Sequence, residues 1–134
     1  MSDRSTFFAL VPATLLFSAL LALPSSARAD ANSEIVTATT HAELAGGASD
    51  LNTVHSHLHH ALNCLVGPGG NGFDAKELNP CAQSGKGAIP DSTAAAKKKS
   101  LETAADKLRA GIGASDLKAA QTAGTAAASI LKTK

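Results

Sequence analysis

The sequence has very few aromatic residues: it contains four Phe and neither Trp nor Tyr. Phe73 is the only aromatic side chain after residue 29. Proteins that bind single-stranded nucleic acid stack the bases on aromatic side chains, and β-sandwiches and barrels are built from aromatic and β-branched strands. The shortage of such residues argues against both classes.

An excess of charge of one sign is also lacking. The 134 residues include 12 Lys and Arg and 11 Asp and Glu, so the formal net charge is +1 at pH 7. A surface without a strong field of either sign does not attract nucleic acid electrostatically, and we expect no nucleic-acid partner. Large apolar side chains are few and Ala is abundant, which predicts a single domain with a small core.

One long apolar run, residues 7–23, lies near the amino terminus. It is followed by Ala27 and Ala29, small residues at the spacing of a signal-peptidase site. We therefore predict that residues 1–29 are a signal peptide and that residues 30–134 form a single exported domain, periplasmic or secreted. The alternative is an uncleaved anchor, although the run is at the short limit for crossing a bilayer. No later segment is apolar enough to span a membrane.

Apolar residues recur at helical spacing and predict an all-α fold, a small helical bundle of three to four helices. One apolar stripe runs through the first half of the chain, and its members are His41, Leu44, Ala48, Leu51, His55, Leu58, Leu62 and Leu65. Another face, centred on Gly124, consists of small residues and permits close helix approach. The predicted helices cover residues 33–45, 49–66, 91–110 and 115–131. The alternative for residues 33–66 is one continuous helix across Gly46 and Gly47.

The two cysteines, Cys64 and Cys81, are predicted to form a disulfide because an exported protein with two cysteines usually joins them. The bond would tie a long Gly/Pro-rich loop, residues 67–90, to the end of the second helix. A closed loop of this length contributes about 3 kcal/mol to stability. The alternative is that both cysteines are thiolate ligands of a metal ion.

Four of the five histidines lie within six positions, residues 55–60. On a helix, His55 and His59 lie one turn apart on the side of the apolar stripe, where two imidazoles can bind one metal ion. His57 and His60 lie on the opposite side, where we expect them to face water. The dense histidine cluster predicts a site for Cu, Zn or Ni, the ions that suit imidazole ligands.

A metal ion needs more donors than the pair His55 and His59 can provide. His41 approaches this pair only if the chain turns back at Gly46 and Gly47. The other candidate donors are His57, His60, Cys64, Asp74 and Glu77.

The sequence contains neither a G-x-S-x-G nor an H-E-x-x-H motif, and we expect no enzyme. The leading prediction is an exported helical protein that binds a transition-metal ion without catalysis. The alternative is a structural or protein-interaction module, in which the apolar stripe pairs with a second copy or with another protein. A third interpretation is a b-type haem held by His55 or His59, but the scarcity of aromatic residues argues against haem.

Overall fold

The computed structural model describes residues 30–134, which are helical and contain no strand. The helices are α1 (Ala31–Gly47), α2 (Leu51–Val66), α3 (Ala88–Asp91), α4 (Ala95–Ile112) and α5 (Leu117–Leu131). The predicted all-α fold is confirmed, but the described chain has five helices rather than three to four. The additional helix, α3, is a single turn within the segment that was predicted to be loop. The predicted signal peptide, residues 1–29, lies outside the described residues.

Aspartate side chains begin three of the long helices. Asp30 accepts hydrogen bonds from two backbone N–H groups at the start of α1. Asp50 accepts one from Thr53 at 2.9 Å, and Asp116 accepts one from Ala119 at 2.8 Å. Each carboxylate pairs N–H groups that have no partner within the helix and places negative charge near the positive end of the helix dipole.

Helix α4 begins differently, because its N-cap residue, Ala94, offers no capping side chain. The predicted helix over residues 91–110 starts too early, since Asp91 and Ser92 lie before α4. Both side chains instead stabilise the preceding turn: Asp91 accepts the backbone N–H of Lys86, and Ser92 donates to the carbonyl of Ala88. Local hydrogen bonds of this kind compete with helix capping, which moves the start of α4 beyond both residues.

Helices α1 and α2 are separate and are joined by a short connection. Ala48 leaves the helical conformation, with φ −72° and ψ 146°, and Asp50 caps the next helix. A connection of three residues between packed helices makes them antiparallel neighbours. The chain therefore turns back directly after Gly46 and Gly47. The prediction of two separate helices is confirmed, and the alternative of one continuous helix is wrong.

The four long helices surround a shared core. Helix α1 packs against α2 and α5, and α4 packs against α5 and α2. Leu58, Leu62 and Leu65 of the apolar stripe are buried in this core. Leu44 belongs to the same stripe but is 46% exposed, because the break between α1 and α2 interrupts the continuous face that the pattern assumed. Within residues 30–134, no helix combines the length and the apolar character that crossing a membrane would require.

Helices α1 and α5 approach most closely at Gly124. A Cβ atom added to this residue would lie 2.9 Å from the carbonyl oxygen of Ala42 and 3.0 Å from the Cβ of Ala45. Ala120 and Ala127, one turn to either side, are fully buried. The prediction that this helix has a small-residue face for close packing is confirmed.

The disulfide Cys64–Cys81 is present, with a Cα–Cα distance of 5.1 Å. It fastens the segment between α2 and α3, which consists of turns, to the last turn of α2. The pairing predicted from the sequence is confirmed. Because both sulfur atoms are used in the bond, neither cysteine is a thiolate ligand in this state.

A second attachment of the same segment is provided by Asn63, which is fully buried. Its Nδ2 donates to the carbonyl oxygens of Asp74 and Leu78 at 3.0 and 3.2 Å, and its Oδ1 accepts the N–H of Asp74 at 3.0 Å. The segment from Asp74 to Leu78, here called the acidic segment, is thus held against α2. It lies next to the part of α2 that carries the histidines.

Candidate metal centre

Three histidines from two helices meet between α1 and α2. One ring nitrogen of each of His41, His57 and His60 lies within 4.8 Å of the corresponding nitrogens of the other two. The Nδ1 atoms of His41 and His57 are 3.3 Å apart. The ring centroids are 5.1 to 5.8 Å apart. We call these three residues the histidine triad.

The short connection between the helices explains why these residues meet. His41 lies six residues before the end of α1, and His57 lies six residues after the start of α2. In an antiparallel helix pair, two such positions are at the same level. His60 follows His57 by three residues and therefore projects from the same side of α2.

The triad is shielded from solvent on more than one side. All three residues are partly buried, and the side chain of His60 is only 15% exposed. The prediction that His57 and His60 face water is wrong. It assumed that α2 has one buried face, whereas α1 and the acidic segment cover a second face.

Burial lowers the pKa of His41 and of His60 below the ordinary value of 6.5, because the charged imidazolium loses water. The neighbouring histidines lower both pKa values further, since two imidazolium ions repel each other. Glu77 acts in the opposite direction on His60. The net effect favours the neutral imidazole, which is the form that donates a lone pair to a metal ion.

The two ring nitrogens of His60 have different surroundings. Its Nε2 lies 3.7 Å from a carboxylate oxygen of Glu77. Its Nδ1 is buried and has no hydrogen-bond partner among the described residues. A buried ring nitrogen without a partner is costly, and binding a metal ion would remove that cost.

The structure places His55 and His59 elsewhere. The Nε2 of His55 lies 3.0 Å from the carbonyl oxygen of Ala114, in the connection between α4 and α5. The Nδ1 of His59 lies 4.0 Å from a carboxylate oxygen of Asp74. Within the described part of the chain, neither residue joins a group of three close metal-binding side chains. Of the five histidines predicted as candidates, three are brought together and two are not.

The acidic segment contributes carboxylates near the triad but not within it. Glu77 and Asp74 each face one histidine of α2, and neither belongs to the close group of three ring nitrogens. The sequence contained a signal for this covered face: His60 and Cys64 are one helical turn apart, so the disulfide at Cys64 brings the following segment over His60.

Three partly buried imidazoles on two helices form a donor set that suits Zn(II), Cu(II) or Ni(II). Such a set binds one ion and leaves a position for water or for a further ligand. The chain matches no protein-family model, no curated protein and no solved structure. Its candidate function therefore follows from the geometry and chemistry of the triad itself.

Proposed function

We propose that the protein is an exported, non-catalytic metal-binding protein that holds one transition-metal ion between α1 and α2. His41, His57 and His60 are the ligands. The observation that carries this proposal is the convergence of three ring nitrogens within 4.8 Å from two separate helices. Three imidazoles and a water molecule complete the four-coordinate shell that Zn(II) adopts in many proteins.

The separation of two of these nitrogens is compatible with an ion bound between them. Two nitrogens bound to Zn(II) at about 2.0–2.1 Å and at the tetrahedral angle lie about 3.3 Å apart. The Nδ1 atoms of His41 and His57 are 3.3 Å apart, which is also the distance of a hydrogen bond between the two rings when no ion is bound. Zn, Cu and Ni all suit imidazole ligands, and zinc serves as the test ion.

The proposed export has independent support. The disulfide Cys64–Cys81 belongs to a class of bonds that persists in oxidising compartments. The apolar run of residues 7–23, followed by Ala27 and Ala29, is typical of a cleaved signal peptide. Both features favour the periplasm or the extracellular space.

The competing function, an interaction module that pairs through the apolar stripe, has less support. Leu58, Leu62 and Leu65 are buried inside the chain itself and offer no surface to a partner. Leu44 is the leucine of the stripe that stays exposed. The apolar stripe therefore offers little exposed surface to a second copy or to another protein.

Zinc titration of the purified exported protein tests the proposal, with affinity measured by competition against a chromogenic chelator. We expect one zinc ion per chain. The double variant His57→Ala/His60→Ala should lose this binding because it removes two of the three ligands. The matched control is His55→Ala/His59→Ala, which removes the same number of histidines from the same helix but leaves the triad intact.

The outcomes separate the two pairs of histidines. Retained binding in the control and lost binding in the triad variant would support the triad as the site. Equal loss in both variants would indicate loose binding by a histidine-rich surface and would overturn the proposed site. A wild-type protein that does not bind zinc, copper or nickel would overturn the function itself.

A further inference from the structure

A carboxylate stands beside one of the three histidines of the proposed centre. The Oε2 atom of Glu77 lies 3.7 Å from the Nε2 atom of His60, and the Glu77 side chain is 33% exposed. This distance is slightly longer than a hydrogen bond. Metal-binding histidines commonly donate their second ring N–H to a carboxylate of this kind.

The protonation of His60 connects this contact to the metal. A neutral imidazole carries one proton, on either Nδ1 or Nε2. The carboxylate of Glu77 favours the proton on Nε2, and that leaves Nδ1 with a free lone pair. Nδ1 is the nitrogen that is buried and lacks a hydrogen-bond partner among residues 30–134. Glu77 therefore selects the form of His60 that can bind an ion through Nδ1.

The position of Glu77 is fixed by the fold. The backbone N–H of Glu77 donates to the carbonyl of Asp74 at 3.3 Å. The residues at both ends of the acidic segment, Asp74 and Leu78, are bonded to the buried side chain of Asn63. The disulfide at Cys81 anchors the chain three residues later. Glu77 thus projects from a turn that is attached to α2 on both sides.

Asp74 provides a comparison within the same segment. Its Oδ2 atom lies 4.0 Å from Nδ1 of His59, so it also faces a histidine of α2. His59 is not part of the triad. Two similar acid–histidine contacts therefore exist, and only one of them reaches a proposed ligand.

We propose, on the basis of the proposed function, that Glu77 is a positioning residue of the metal centre. Its carboxylate accepts a hydrogen bond from Nε2–H of His60 and leaves the Nδ1 lone pair free to bind the ion. Glu77 is not itself a ligand, because its oxygens lie outside the close group formed by the three ring nitrogens. The acidic segment and α2 thus cooperate in one centre, in which the helices supply the ligands and the segment orients one of them.

The test compares three variants in the full exported chain with its disulfide intact. Glu77→Ala should weaken zinc binding about 10- to 100-fold, the usual effect of removing a carboxylate that orients a ligand. Glu77→Gln keeps an acceptor oxygen in nearly the same place and should restore much of the affinity. Asp74→Asn, the matched control, should bind zinc like the wild type because His59 is not a ligand.

Nitrogen-15 NMR of the metal-free proteins supplies a second measurement, which a merely structural role of Glu77 would not change. We expect His60 to carry its proton on Nε2 in the wild type and in Glu77→Gln, and to be a mixture of both forms in Glu77→Ala. Thermal unfolding of each variant shows whether the fold is retained. If Glu77→Ala does not fold, Glu77→Met, which keeps the length of the side chain but has no carboxylate, takes its place in both measurements.

Three outcomes are distinguishable. Weaker binding and a changed His60 proton position in Glu77→Ala alone would support the inference. Zinc affinity and NMR signals equal to those of the wild type would overturn it and leave the proposed function standing. A wild-type protein without zinc affinity would overturn the proposed function and the inference together.

Discussion

A single buried carboxyl group links the start of the domain to its third helix. Glu34 of α1 is completely buried, and its Oε1 accepts the backbone N–H of Gly87 at 2.9 Å. The second oxygen, Oε2, has no hydrogen-bond partner within the described residues. Burial raises the pKa of Glu34 from 4.5 to about 7, because the carboxylate form loses its hydration.

The raised pKa of Glu34 predicts that it makes the protein less stable as the pH rises. Between pH 4.5 and about 7, the folded state holds a proton on Glu34 that the unfolded state releases, so the free energy of unfolding falls across this range. The full effect is about 3 kcal/mol at about 1.4 kcal/mol per pKa unit. Glu34→Gln should remove it. Urea unfolding of both proteins at pH 5 and pH 8 measures the difference.

That comparison isolates Glu34 because all other titratable groups are present in both proteins. Their contribution to the pH dependence of stability therefore cancels in the difference between the two unfolding free energies. The wild type should lose stability relative to Glu34→Gln when the pH is raised from 5 to 8. A constant difference in unfolding free energy at the two pH values would contradict the raised pKa.

The pH dependence of zinc binding is a second prediction about individual residues. Protonation of the triad competes with the metal, so zinc affinity should fall with decreasing pH. Because the pKa values of His41 and His60 lie below 6.5, we expect the main loss of affinity below that pH rather than above it. Competition titrations between pH 7.5 and pH 5 measure this. Affinity that is unchanged down to pH 5 would exclude imidazole ligands.

Among the helices, the packing of α1 against α5 depends on the absence of a side chain at Gly124. We predict that Gly124→Ala destabilises the protein, because its Cβ would meet the carbonyl of Ala42 at 2.9 Å. Overpacking costs about 1–3 kcal/mol. The better helix propensity of Ala returns up to about 1 kcal/mol of this. With the full propensity gain, chemical denaturation should therefore show a net loss of up to about 2 kcal/mol.

Gly47 is the control for this substitution. It is the last residue of α1, the helix that Gly124 of α5 packs against, and a Cβ added to Gly47 would have no atom within 4 Å. Gly47→Ala should leave stability unchanged or raise it slightly. If both alanine variants had the same stability, close helix approach at Gly124 would not be the cause.

The helices were largely predictable from the sequence because their ends carry local chemical signals. Asp50 at the start of α2 and Gly67 after its end act on their immediate neighbours, and the predicted bounds of this helix, residues 49–66, lie within two residues of the observed ones. Helix α3 was missed because its one turn, from Ala88 to Asp91, is too short to show a periodic pattern. What local signals do not determine is how much of each helix is covered by others.

The composition of the site shows this limit most clearly. The sequence established that His57 and His60 share one side of α2 and that His55 and His59 share another. Which side meets His41 depends on how α1 rotates and packs against α2, and no single residue encodes that rotation. The leucines made one face of α2 the evident buried face. The second buried face, which contains the triad, results from the packing of α1 and from the segment that the disulfide attaches to α2.

At the scale of the whole molecule, the proposed metal binding predicts a coupling to folding. The triad exists only when α1 and α2 are packed together, so an ion that binds there would stabilise the folded state. Zinc at about a hundred times its dissociation constant should add about 2.7 kcal/mol to the free energy of unfolding. We predict a zinc-dependent rise of the melting temperature in the wild type and in His55→Ala/His59→Ala. It should be absent in His57→Ala/His60→Ala.

Differential scanning calorimetry with and without zinc measures these shifts. His55→Ala also removes the contact with the carbonyl of Ala114, so the control variant is expected to melt at a lower temperature than the wild type. The shift caused by zinc is therefore the relevant quantity, not the melting temperature itself. A wild-type curve that zinc does not move would contradict the coupling.

The short connection between α1 and α2 has a consequence for the order of events during folding. The proposed ligands and Glu77 all lie between positions 41 and 77, and His41 and His57 are separated by only 16 residues. Bringing them together closes a small loop, which costs little chain entropy and is fast. Helices α4 and α5 contribute no ligand to the triad. If the triad binds zinc as proposed, the amino-terminal helical hairpin would do so as soon as it forms, and the ion would then act as a template on which the carboxy-terminal half of the domain docks.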